Sequence, residues 1–495
     1  MGLFKRIFGR HKKTEKVKVD PQVLAKEKQT FEDACKVVLN DLDGIKSAGI
    51  EPPKAVSNEL TKIGKEAKDK GYGWAVVALA VQMDRSKSLL ATARALNNHV
   101  LPPPGDKKET ARFDTLRKAV TDAVTAGDED KAKEALKAYS DAVRAKLKEK
   151  AKKDLKDGKP DLKSMQDLVN TPGGKEELDE IVAKLPPDTP QASLKAAIEA
   201  RYGIKVKQYE HKKSNIVDTS GLTEVDDKLP DKSLQKIYAL FLKVPASHVE
   251  KSEKLTDLIR FTGDTGGAAY GGGKFYMYAG RADDPNGTQQ KFGAKQLRPS
   301  DGKPELLEVD DDAKPANDDH VPYFDFATLH EVGHSVDDKN SFMSKSRMAK
   351  PEMGGWIVET IDTVAKAGAD SFGVPEAFVK GVLSGTDPAI PAKPAETKKA
   401  HENAKAWAIA INQQNLWWNG TESKNRAIGG RVYQRSYDAK WTSYLLAARN
   451  KGITGYQFRA PGEWFAELYA AYYSKKLKSN HPAVAWLEEL ETPAK

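Results

Sequence analysis

Cysteine is almost absent. Cys35 stands alone in 495 residues, which excludes a disulfide framework and a thiolate-ligated zinc site, and fits assembly in a reducing compartment. No run of 18 or more apolar residues occurs, so nothing reads as a membrane-spanning helix. Aromatic residues make up 8% of the chain, and its lysines are interleaved with acids rather than clustered. Both features argue against a nucleic-acid surface, even at a net charge of +9. No repeat of fixed period is visible. At the N-terminus, Leu3-Phe4 and Ile7-Phe8 alternate with cations, but neither a long apolar stretch nor a small-residue cleavage site follows. Arg6 stands where an acylation pattern needs Ser or Thr. Residues 1–20 therefore read as a basic flexible tail and not as a secretory signal, and the expected localisation is cytoplasmic in the producer.

What is present divides into two halves. Residues 21–105 carry apolar positions at helix spacing (Phe31, Cys35, Val38, Leu39) and end at Pro102-Pro103-Pro104-Gly105. A second helical, lysine-rich region spans 106–230. Its helix over 110–156 has Leu136, Val143, Leu147, Ala151 and Leu155 on one stripe. Thr189, Pro190 and Gly203 punctuate a further helix as cap, first turn and stop. From 231 the pattern mixes. Asp231 is placed to cap a helix through Leu242, Phe275 to Tyr278 read as a strand at a sheet edge, and 281–320 read as a surface loop. Helices are expected over 356–367, 395–414 and 463–475. The glycine-rich run before Phe275 fails as a phosphate loop, because Ala268 takes the first glycine position and Phe275 the Ser/Thr position.

The chemistry concentrates in His330-Glu331-Val332-Gly333-His334. On a helix, residues four apart share a face, so His330 and His334 can address one Zn²⁺ ion, and Glu331 sits where a base for a water molecule is needed. A catalytic zinc takes three protein ligands. Glu463 and Glu467, again four apart, form a candidate pair: one to bind zinc, the other to accept the N–H of a ligating histidine.

The segment from His330 to Asp338 resembles the zinc helix of the anthrax toxin lethal factor metallopeptidase family, which reads His-Glu-aromatic-Gly-His-Ala-Val-Asp-Asp there. Thr454-Gly455-Tyr456, followed after six residues by Glu463-Trp464-Phe465-Ala466-Glu467, is similar to a second stretch of that family. The resemblance implies Glu463 as third ligand, Glu467 as its partner behind the metal, and Tyr456 as a hydroxyl for the oxyanion. It covers the C-terminal half, and the interval between His334 and Glu463 is far longer than in the lethal factor.

The expected fold class is α+β: a mainly helical N-terminal region followed, over 231–495, by a zincin-like metallopeptidase domain with a small sheet and zinc-binding helices. The expected function is zinc-dependent endopeptidase cleavage of a protein substrate by a toxin or injected effector. A specialised secretion machine and an immunity or inhibitor protein are its implied partners. A peptidoglycan stem-peptide hydrolase and a non-catalytic binding protein are the alternatives.

Overall fold

The computed structural model describes residues 20–101, 105–210, 219, 221–225, 232–261, 268–278, 289–291, 310–316, 320–343, 345–413, 426–436 and 438–491. All of the expected basic tail but Asp20, together with Asp231 and the tryptophan pair Trp417-Trp418, lies outside them. The fold is α+β, and none of the described helices is long and apolar enough to cross a membrane. Two compact units are present: 1–152 with 166–178, and 153–165 with 179–495.

The first unit is helical. Helices α1 (Pro21–Ser47), α2 (Lys54–Lys70) and α3 (Tyr72–Asn97) bury Val38, Leu42 and Ile45 with Val56, Ile63, Leu79, Leu89 and Leu96. Asp20 accepts the Gln22 N–H at 2.8 Å and caps α1. The helix expected over 110–156 is two helices, α4 (Lys107–Ala126) and α5 (Glu129–Lys156). Gly127 breaks them by taking a left-handed conformation (φ 76°) that its lack of Cβ allows.

The second unit takes in α6 (Leu162–Val169) in part, α7 (Gly174–Ala183) from Asp179 onward, and α8 (Gln191–Tyr202). Thr189 does not cap α8. Its hydroxyl donates to the Pro186 carbonyl at 2.6 Å, while Pro190 occupies the cap. Strand β1 (Lys205–Tyr209) leads through α9 (Lys232–Phe241) and α10 (Ala246–Val249) to β2 (Asp257–Phe261). Then come β3 (Ala268–Gly271) and β4 (Lys274–Tyr278), in a sheet of order β1-β2-β4-β3. β1, β2 and β4 run parallel, and β3 is antiparallel to β4. Gly272 and Gly273, both at positive φ, form the two-residue hairpin turn that folds β3 back. The stretch from Phe275 is therefore interior; the edge belongs to β3. Within the expected loop 281–320, β5 (Gln289–Lys291) pairs with β6 (His320–Pro322).

Helix α11 (Tyr323–Asn340) follows and is buried on nearly every side, from Phe324 through Val336. The next helix expected, over 356–367, begins later. After α12 (Lys345–Met348), Trp356 is buried in a loop and Ile357–Val358 form β7. The helix itself, α13 (Ile361–Phe372), starts where Thr360 and Thr363 cap it reciprocally. With α14 (Glu376–Leu383) and α15 (Ala395–Ile411) it encloses a separate core around Val364, Phe378, Val379, Trp407 and Ile411. Strands β8 (Ala427–Ile428), β9 (Arg431–Arg435) and β10 (Trp441–Leu445) join β7 in a second, antiparallel sheet, order β7-β10-β9-β8. The chain closes with α16 (Pro461–Tyr473) and α17 (Val484–Glu489). On α16, Tyr469 and Tyr473 are buried, while Tyr472, expected inward, is half-buried.

One buried histidine fastens these elements. His248 of α10 lies 2.9 Å from the Tyr469 hydroxyl through Nδ1 and 3.1 Å from the Leu490 carbonyl through Nε2. Burial drives its pKa down to about 4; the Leu490 bond resists and the charge of Lys339 assists. Because the folded pKa is depressed, the unfolded chain takes up the proton first. This contribution is therefore intact above pH 6.5 and is lost as pH falls toward 4. Between pH 7.5 and 5 the loss should be about 2 kcal/mol. His248→Gln should have a lower melting temperature at pH 7.5 but a visibly flatter decline to pH 5. An unchanged slope would mean that His248 does not set it.

Candidate metal centre

Helices α11 and α16 carry the site and pack against each other. Their approach depends on Gly333, inside the His-Glu-x-x-His segment. A Cβ there would lie 3.1 Å from the Ala466 Cα and 3.1 Å from the Tyr469 Cβ. Any side chain at Gly333 would press on the backbone of α16, which can yield only by moving the helix away.

At that distance Glu463 reaches across. Its Oε2 lies 3.0 Å from His330 Nε2 and 3.2 Å from His334 Nε2, and the two ring nitrogens are 3.1 Å apart. Among the described residues, His330, His334 and Glu463 are the one group of His, Cys, Asp or Glu placed to share a metal ion. A tetrahedral zinc with bonds of about 2.0–2.1 Å holds its ligand atoms about 3.3 Å apart, close to the triangle found. Two imidazoles and a carboxylate are also a donor set that zinc accepts. The residues present fit the ion.

The charge balance points the same way. Glu331, Glu463 and Glu467 are each buried, being 5%, 5% and 3% exposed, around two imidazoles, with one guanidinium, that of Arg459, 3.9 Å from the outer oxygen of Glu463. Buried carboxylates call for a compensating cation or a proton. Burial would raise the Glu463 carboxyl, but the charges and hydrogen bonds of His334 and His330 outweigh it and hold it well below the carboxylate range. Burial works against a charged His330, yet Glu463 and Glu467 overcome it and push its pKa well above the usual value. Glu331 moves the other way: burial raises it, and the neighbouring histidines offset only part of that.

The outlying residues take definite places. His330 Nδ1 lies 2.8 Å from Glu467 Oε1, an approach off the ideal hydrogen-bond line, and Thr454 Oγ1 donates to the other Glu467 oxygen. The Tyr456 ring stands edge-on to His330 at 5.7 Å between centroids. All six residues singled out in the sequence thus fall in one cluster.

Others were not foreseen. Tyr270 of β3 stacks over His334 at 6.4 Å, and its hydroxyl donates to Asp338 Oδ2 at 3.0 Å. Lys254 pairs with the same oxygen at 3.3 Å. Asp337, raised by burial, accepts the Met343 N–H at 2.7 Å and feels the charge of His334. Arg459 donates to the Tyr456 hydroxyl and lies 3.9 Å from Glu463 Oε1. Of these, Asp337 and Asp338 stand in the segment that carries the lethal-factor resemblance, and Arg459 stands four residues before Glu463, yet none had a role assigned from the sequence.

The long interval between His334 and Glu463 holds α13–α15 and the second sheet. It is tied to the site by an aromatic chain: Trp356 to Tyr444 at 4.9 Å, Tyr444 to Phe458 at 5.2 Å, and Phe458 to Trp464 at 5.2 Å. Trp464 lies next to Glu463 in α16.

Comparison with protein-family models, with curated proteins and with solved structures gives no match for this chain.

Metal content tests the cluster directly. The purified chain should hold or take up about one zinc. Glu463→Ala should lose most of it, and Glu467→Gln should weaken the affinity about 10–100-fold in a chelator competition. Full occupancy in Glu463→Ala would remove Glu463 from the ligand set. Gly333→Val adds no competing donor, yet should cost about 1–3 kcal/mol of stability and lower zinc affinity by forcing the helices apart. A Gly333→Val protein with normal melting and normal zinc affinity would refute the close-approach argument.

Proposed function

We propose that this chain is a zinc-dependent endopeptidase built on a zincin-like second unit. The observation that carries the reading is the convergence of His330 Nε2, His334 Nε2 and Glu463 Oε2 with the buried Glu331 alongside. The mixed sheet supports it, with its antiparallel edge strand β3 lying against α11.

Bound at the three side chains, zinc supplies Lewis acidity, which polarises a peptide carbonyl and makes a water easier to deprotonate. The remaining steps belong to the protein. Glu331 takes the proton of the attacking water on a carboxylate oxygen and delivers it to the departing amine nitrogen. Its raised pKa suits that exchange, since a base that is too acidic holds the proton poorly. Tyr456 donates its O–H to the oxygen on which negative charge develops; burial, together with the charge of Glu463, keeps that phenol protonated. Glu467, itself held by Thr454, faces the far nitrogen of His330 and fixes which nitrogen turns to the metal. An extended substrate adds as a further strand along the outer side of β3, placing its backbone beside Tyr270 and His334. The lethal-factor resemblance assigns the activity to a toxin or injected effector that cuts a protein.

The test is cleavage of an unfolded protein by the zinc-loaded chain. Glu331→Gln should reduce kcat by about 10²–10⁴-fold while keeping its zinc and its melting temperature. Tyr456→Phe should lose about 10²–10³-fold in kcat with little change in KM. A Glu331→Gln protein whose kcat stays near the wild-type value would end this assignment.

A further inference from the structure

We propose that Arg459 is a positioning residue that aims and polarises the Tyr456 hydroxyl. The inference rests on the peptidase reading and adds to it the group that makes Tyr456 effective.

Three contacts carry it. The Arg459 guanidinium donates to the Tyr456 oxygen. Its carbon lies 5.1 Å from the Tyr456 ring centroid, so the cation follows the ring as well as the oxygen. The same Nη1 stands 3.9 Å from Oε1 of Glu463, whereas Oε2 is the oxygen that faces the two histidines. Arg459 therefore bridges the phenol and the outer oxygen of the third ligand. It can do so because of where it sits. Tyr456–Arg459 form one 3-10 turn, Ala460 is extended, and α16 begins at Pro461, so Arg459 is the last residue of the turn before the ligand helix.

The chemistry follows from the donor. Guanidinium is always charged and carries several N–H groups in a fixed plane, so it can donate to one oxygen while remaining near another. A phenol that accepts from a cation is polarised and becomes a better donor through its own O–H. Because that oxygen accepts from Arg459, its hydrogen must point away from the guanidinium. The O–H direction is thus set before any substrate arrives, and preorganised donors of this kind contribute most to oxyanion stabilisation. Lysine is a poor substitute, a point charge on a flexible stem.

The experiment is a double-mutant cycle on the full-length, zinc-loaded chain, using Arg459→Gln, Arg459→Lys, Tyr456→Phe and the Arg459→Gln/Tyr456→Phe pair. Two readouts are taken: kcat and KM on an unfolded protein, and the Kd of a phosphinic peptide, a tetrahedral anionic mimic, by calorimetry. Arg459→Gln should lower kcat about 10–100-fold with KM within about twofold, and weaken the phosphinic peptide by a comparable factor. Zinc content and melting temperature should stay at the wild-type values. Arg459→Lys should recover part of both losses. In the Tyr456→Phe background, Arg459→Gln should add less than about threefold, because its route runs through the missing hydroxyl. Fully additive losses, or losses that track zinc content or melting, would overturn the proposal and leave Arg459 a structural residue. A silent Arg459→Gln would overturn it too. If the wild type neither holds zinc nor binds the phosphinic peptide, the peptidase reading fails and takes this inference with it.

Discussion

Two helices far apart in sequence must approach until one carboxylate oxygen sits within about hydrogen-bond distance of two imidazole nitrogens. A side chain of ordinary size between them would prevent it. Gly333 and Ala466 meet at the crossing, and the helices close to the point where a single Cβ at Gly333 would touch the opposing backbone. Helix α11 gives up some intrinsic stability to carry a glycine in its interior. It recovers that through burial on nearly every side, against the sheet on one flank and α16 on the other. The position of β3 follows as well: it lies against the flank of α11 that carries His334, so Tyr270 comes to rest over that ring.

The cluster that results is not a source of stability. Three carboxylates are removed from water around two imidazoles, and clustered charges of this kind seldom repay their desolvation without a cation. The scaffold answers with donors placed behind the site: Thr454 on Glu467, Arg459 beside Glu463, Lys254 on Asp338. His248 illustrates the contrast. It is also buried, and burial, assisted by the charge of Lys339, holds it neutral against the pull of the Leu490 carbonyl, while its two ring nitrogens meet a hydroxyl and a carbonyl and join three elements.

Much of this was readable in the chain. Four-residue spacing is a property of the helix, so His330 with His334, and Glu463 with Glu467, announce shared faces without any tertiary information. The pairing of one helix with the other was carried by the resemblance rather than by spacing, since nothing local in α11 names α16. Features that depend on tertiary context stayed hidden. The break at Gly127 falls before the apolar stripe of Leu136 to Leu155, inside a window that reads as one helix. Trp356 sits in a window that looks helical, yet the chain there forms a loop and then β7, with the indole tilted against the Tyr444 ring. The edge position of β3 is invisible because its sequence, Ala-Ala-Tyr-Gly, lacks the β-branched signature of a strand and is defined by pairing with β4.

The length between His334 and Glu463 looks at first like an argument against a shared site, and physically it is a weak one. Loop closure grows only logarithmically with length, about 0.6 kcal/mol per doubling. A segment that folds on its own core escapes most of even that cost, because its ends are fixed by its own packing. The interval here has such a core, with Val364, Phe378, Val379, Trp407 and Ile411 enclosed by three helices, and a sheet of its own. Its link to the ligand helix is the aromatic series from Trp356 to Trp464, adjoining Glu463 without entering the triangle of ligand atoms. The metal cluster therefore depends on the α11–α16 crossing and on the Tyr456–Arg459 turn, and the intervening segment supports that turn from β9, where Gln434 Nε2 donates to the Phe458 carbonyl at 2.7 Å.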